Sequence, residues 1–67
     1  MIALTVNGKR RELEAPMSLI SYLQSLGVSL KFIAVAYNGT VLRREEFSSV
    51  ILGDGDVLEI VRPVGGG

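Results

Sequence analysis

Ile2, Leu4 and Val6 alternate with Ala3, Thr5 and Asn7, the period of a strand buried on one face. Asn7-Gly8 follows, a pair that tolerates the positive φ angles of a type I′ turn, so a second strand returns from Lys9 to Glu14. Ala15-Pro16 ends that pairing, because proline has no N–H to give a ladder. Ser18 then stands where an N-cap oxygen accepts from the first free helical N–H groups, with Met17 and Tyr22 at the N′/N4 spacing of a hydrophobic staple. The apolar residues Leu19, Ile20, Leu23 and Leu26 define one face of a short amphipathic helix, and Gly27 suits the left-handed position that closes it.

Phe32 to Tyr37 is apolar at every position, which predicts a central strand covered on both sides. Asn38-Gly39 supplies a second hairpin turn, with a short return over Val41-Leu42. Arg43 to Ser49 is polar around Phe47 and reads as a turn or a single 3-10 turn, with Phe47 plugging the edge of the core. Val50-Ile51-Leu52 leads into a tight turn at Gly53-Asp54-Gly55-Asp56. A last strand over Val57 to Arg62 sets Leu58 and Ile60 on one face and Val57 and Val61 on the other, and Pro63 stops its ladder.

Two strands, one helix, then two or three more strands predict an α+β fold, a small mixed sheet with one helix packed across one face. A single helix leaves the far face of the sheet bare. Apolar side chains pointing that way form a patch read as a partner-docking surface; the plainer reading is that small Ala34 and Ala36 line that face and need no explanation.

Sixty-seven residues make one domain of modest stability, since a chain this short buries only about 60% of its unfolded surface. Neither Cys nor His occurs, which removes disulfide staples, the usual zinc sites, nucleophilic triads and cysteine catalysis. Hydrophobic residues make up 48% of the chain, enough for apolar packing to hold it. Seven basic residues balance seven acidic ones, so the bulk electrostatic attraction needed for nucleic acid or an anionic membrane is missing and a protein partner is expected. The absence of a long apolar run, of an export signal and of cysteine fits a cytoplasmic protein.

Candidate catalytic groups are few. Glu45-Glu46 lies among Arg43 and Arg44 and reads as a solvated charge cluster. Asp54-x-Asp56 resembles the start of a calcium loop but lacks its later ligands, so a β-turn with the acids on its own N–H groups is expected and no metal site is assigned. The chain reads as no enzyme by itself.

The most specific feature is the ending, Gly65-Gly66-Gly67 after Val64 and Pro63. Three glycines give a core nothing to pack, and ordering them costs backbone entropy. They do provide a thin thread that can pass a slot too narrow for any Cβ, and four residues beyond Pro63 reach roughly 13 Å when extended. The expected organisation is a domain over residues 1–62 and a flexible glycine tail over residues 63–67, with chemistry at the Gly67 carboxylate.

An Asn-Gly hairpin, a short helix, "AYNGTVLRREEF", "LGDGDVLEIV" and a terminal "VGGG" together resemble the ThiS family of ubiquitin-like sulfur carriers in thiamin biosynthesis. The resemblance spans the whole chain; Gly53 to Gly67 and Arg43 to Phe47 are its most specific parts. The small subunit of molybdopterin synthase (MoaD) and the ubiquitin-related modifiers are similar in outline, and a MoaD-like carrier, a protein modifier and a plain β-grasp interaction module with an idle tail are the alternatives. The resemblance implies a β-grasp fold and a monomer when free. It implies that a ThiF-type enzyme uses ATP and magnesium to adenylate Gly67, that a cysteine desulfurase or sulfurtransferase supplies sulfur, and that the resulting thiocarboxylate serves a ThiG-type thiazole synthase. No bound cofactor is implied for the chain itself, and Gly65, Gly66 and Gly67 would thread the partner's channel.

Overall fold

The computed structural model describes residues 1–62. The first hairpin pairs β1 (Ile2–Val6) with β2 (Lys9–Leu13), and its turn sets Asn7 at φ 52° and Gly8 at φ 81°, the left-handed pair that a type I′ turn requires. The chain then forms β3 (Met17–Ser18) and α1 (Leu19–Ser25). Ser18 Oγ accepts from the Ser21 N–H at 3.1 Å, the cap read from the sequence, and Gly27 takes φ 74° just beyond the C-cap Leu26.

After a 3-10 turn at Leu30–Phe32 come β4 (Ala34–Tyr37) and β5 (Thr40–Val41), a second 3-10 turn at Arg44–Ser49, then β6 (Ile51–Leu52) and β7 (Val57–Val61). The main sheet has the order β2-β1-β7-β4-β5. Only the β1–β7 pair in it is parallel, and β3 and β6 form a separate two-stranded ribbon. The core joins Leu4 and Val6 of β1, Leu19, Tyr22 and Leu23 of α1, Val35 of β4, Leu58 of β7, Leu52 of β6 and Phe47. One helix thus covers one face of a mixed sheet, as the element order implied.

Several expectations need correction. Phe32 to Tyr37 is not one strand covered on both sides. Leu30–Phe32 forms a 3-10 turn, Phe32 is 65% exposed, and of β4 only Val35 is fully buried. The physical reason is Arg44, whose guanidinium donates to the carbonyls of Leu30 and Lys31, satisfying groups that a ladder would otherwise need. The centre of the sheet is β7, because β1 and β4 pair on either side of it. On the helix, Tyr22 is buried in the core while Leu26 is 44% exposed, so the inward face is rotated from the one read off the apolar spacing.

Phe47 is 2% exposed, a member of the core rather than a plug at its edge. Its 3-10 turn is opened by Glu46, whose carboxylate accepts from the Arg43 N–H at 2.7 Å.

Candidate functional site

Gly65, Gly66 and Gly67 lie outside the described residues; the structure defines the strand that presents them. β7 is held at both ends by the asparagine of a hairpin turn. Asn38 accepts from the Val57 N–H through Oδ1 at 2.8 Å, and its own N–H donates to the Val57 carbonyl at 2.8 Å. Asn7 does the same for Ile60, accepting from its N–H at 2.7 Å and donating to its carbonyl through Nδ2 at 3.2 Å. β1 has already turned away at that point, so the amide side chain replaces a missing rung of the ladder. The sequence shows these asparagines as turn residues, and nothing in their spacing announces the second role.

The turn before β7 is built from its acids. Asp56 accepts from the Gly53 N–H at 2.8 Å, the Tyr37 hydroxyl at 2.7 Å and Asn38 Nδ2 at 3.2 Å. Asp54 accepts from the Ala3 N–H of β1 at 2.7 Å, so it bonds across to another strand, and of the two acids expected on the turn's own N–H groups only Asp56 is found there. Among the described residues no group of three or more His, Cys, Asp or Glu side chains is arranged to hold a metal ion. Partial burial pushes the Asp56 pKa up, and the three donated hydrogen bonds outweigh it and hold the group below its ordinary value. The same hydrogen bond to Asp56 raises the Tyr37 pKa, with burial and the Asp56 charge acting in the same direction.

The pair bounds stability on both sides. A lowered Asp56 contributes fully above the ordinary aspartate value of about 3.9, and that contribution disappears as pH falls through the lower folded value. A raised Tyr37 contributes fully below about 10 and loses its contribution as pH rises through the higher folded value. Denaturant unfolding across pH should therefore show a Tyr37→Phe chain with a flatter alkaline limb and a shallower acid limb than wild type. Identical profiles would refute the coupling.

Near the end of β7, the sheet face away from α1 carries an apolar patch. Phe32, Ala34, Val41 and Val61 are exposed there, and Phe32, Ala34 and Val61 line one shallow depression. The bare face expected from a single covering helix is present, and Phe32, whose turn displays it, adds to the patch. Of the arginines, Arg44 is held by its two carbonyl contacts, whereas Arg62 stands exposed at the end of β7. No helix of the described residues is long and apolar enough to cross a membrane.

The ThiS family matches residues 4–67. A solved structure of the thiamine biosynthesis protein ThiS from Geobacter metallireducens superposes with a TM-score of 0.84 at 35% identity, covering 98% of this chain and all of that one. A solution structure described as a thiamine biosynthesis protein from the same organism gives 0.82. The thiazole synthase of Paramagnetospirillum magneticum is 38% identical over 64 residues, which is 96% of this chain but only 20% of that protein, so the chain spans about a fifth of this relative. The uncharacterized protein ycf40 of Porphyra purpurea is 35% identical over 66 residues and 93% covered. A five-stranded mixed sheet with one helix, superposing on ThiS, is the ubiquitin-like β-grasp, and the chain belongs to the ThiS family.

Proposed function

We propose that the chain is a sulfur carrier of thiamin biosynthesis, a protein cosubstrate rather than a catalyst, whose reactive group is the carboxylate of Gly67. The observation that carries the reading is the family match, which extends from Leu4 in β1 to the last glycine. The physical logic of the steps supports it.

A carboxylate is a poor acyl donor because its charge is shared over two oxygens. An adenylating enzyme of the ThiF type therefore joins a Gly67 oxygen to the α-phosphorus of ATP, with magnesium balancing the phosphate charge, and pyrophosphate leaves. The terminal sulfur of a persulfide on a cysteine desulfurase or sulfurtransferase then attacks the acyl carbon, and AMP leaves with the electron pair of the acyl C–O bond. A thiol reductant cleaves the S–S bond of the resulting acyl disulfide, the thiol being oxidised to a disulfide, and a thiocarboxylate remains. That group is soft, ionised and tethered, where free sulfide would diffuse away. Thiazole synthase is the acceptor, in keeping with the relatives of that name that contain a segment like this chain. The apolar face around Val61 serves as a docking surface for these enzymes, because it begins where the tail does.

Intact mass spectrometry tests the reading. Incubation with the adenylating enzyme, ATP, magnesium, a sulfur donor and a thiol reductant should raise the chain's mass by the difference between sulfur and oxygen. The added mass should be lost again on turnover with thiazole synthase. A ladder of larger conjugates, or transfer only to a molybdopterin synthase subunit, would overturn it.

A further inference from the structure

On the helix side of the sheet the tail's root adjoins a second surface. Val6 stands opposite Lys9 and Leu4 opposite Arg11, so Lys9 and Arg11 leave β2 on the same side as the core residues they face. Leu58 and Ile60 point to that side from β7, and the alternation continues to Arg62. α1, at seven residues, extends only about 10 Å and leaves this corner open. The result is a groove of about 240 Å³ with Lys9, Arg11 and Arg62 around Tyr22, Leu26 and Ile60.

No acidic residue lines this groove. Among the described residues the one ion pair is Arg10–Glu12, and both belong to the opposite face, across from Thr5 and Ala3. In a chain of zero net charge, three cations have been gathered at one corner. Inward-pointing cations on an edge strand hinder edge-to-edge pairing, and that accounts for Lys9 and Arg11. It does not account for Arg62, which follows the central strand. Arg62 is also five residues from Gly67, so any protein holding that carboxylate brings its surface within about 17 Å of the groove.

We propose that the Lys9–Arg11–Arg62 groove docks an acidic, apolar-tipped segment of the thiazole synthase that takes up the tail, the cations meeting its carboxylates and Leu26 its apolar side chain. The proposal rests on the sulfur-carrier reading. It adds a recognition surface on the face opposite the apolar patch, so the tail's root is gripped from two sides.

The test is titration of the full-length chain into purified thiazole synthase at two salt concentrations. Lys9→Glu combined with Arg11→Glu should raise Kd about tenfold or more at low salt, since like charges then face each other. It should also flatten the salt dependence of wild type, while Arg43→Glu, outside the groove, changes Kd little. Circular dichroism checks that the reversed chain folds; should it not, Lys9→Gln and Arg11→Gln singly should each weaken binding and lower the salt slope. Wild-type binding retained in the reversed chain overturns the groove and leaves Lys9 and Arg11 as edge guards. An effect that vanishes when the wild-type comparison lacks residues 65–67 would mean that the groove holds the chain's own carboxylate, which also overturns it. A wild-type chain that neither binds nor donates sulfur refutes the carrier reading itself.

Discussion

A chain trimmed of Gly66 and Gly67 should lose sulfur transfer completely and keep its unfolding midpoint. The core consists of residues from Leu4 to Leu58, and the last rungs of the sheet are at Ile60 and Val61, so the two final glycines support none of the packing described. Their removal shortens the reach beyond Arg62 by about 7 Å and, on the proposed reading, would leave the carboxylate short of the partner's reacting atoms. Reacting groups must come within about 3–3.5 Å, so such a shortfall eliminates the reaction rather than slowing it. A host lacking its own carrier should fail to grow without thiamin when given the trimmed chain. Growth at the wild-type rate would end the proposal. Gly66→Ala is the milder form of the same experiment: the added methyl should slow adenylation by about tenfold or more with stability unchanged.

Phe47→Ala should unfold a large share of the population at room temperature. Phe47 is almost wholly buried, on a 3-10 turn that packs against α1, and shares the core with Leu19, Tyr22 and Leu23. Truncation of a buried phenylalanine costs about 3–5 kcal/mol through lost transfer energy and the cavity left behind. A domain of this length has roughly 3–10 kcal/mol in all, and the chain has no disulfide in reserve. Urea titration should show the midpoint falling to a small fraction of the wild-type value. A loss below about 1 kcal/mol would mean that the turn repacks and that Phe47 is replaceable.

Local chemistry made much of this readable. Asn7-Gly8 and Asn38-Gly39 announce their hairpins because few residue pairs tolerate two left-handed positions, and Ser18 and Gly27 bracket the helix for equally local reasons. What escaped is what depends on distant partners. Nothing within Val57 to Val61 says that it lies at the centre of the sheet, since that position comes from a parallel pairing with β1 across some fifty residues. Phe32 looked like strand because its neighbours do, and the arginine that holds it in a turn lies twelve positions on. The β3–β6 ribbon is two residues a side, too short for any period to register.

The glycine tail is assigned from the sequence alone, because a run of glycines has so few structural uses, and it lies outside the described residues. The groove was half legible. The alternation that set Ile2, Leu4 and Val6 inward also sets Lys9 and Arg11 inward once the hairpin register is drawn, and parity with Leu58 and Ile60 gives Arg62. Only the fold shows that these two ends of the chain meet.

Because β7 is bonded along both edges, to β1 on one side and β4 on the other, the way the tail is anchored has a mechanical meaning. Traction that reaches β7 from its C-terminal end runs along the strand axis. It loads both flanking ladders in shear, so their rungs resist together instead of opening one at a time. On the sulfur-carrier reading proposed above, repeated pulls on that end would leave the globule folded.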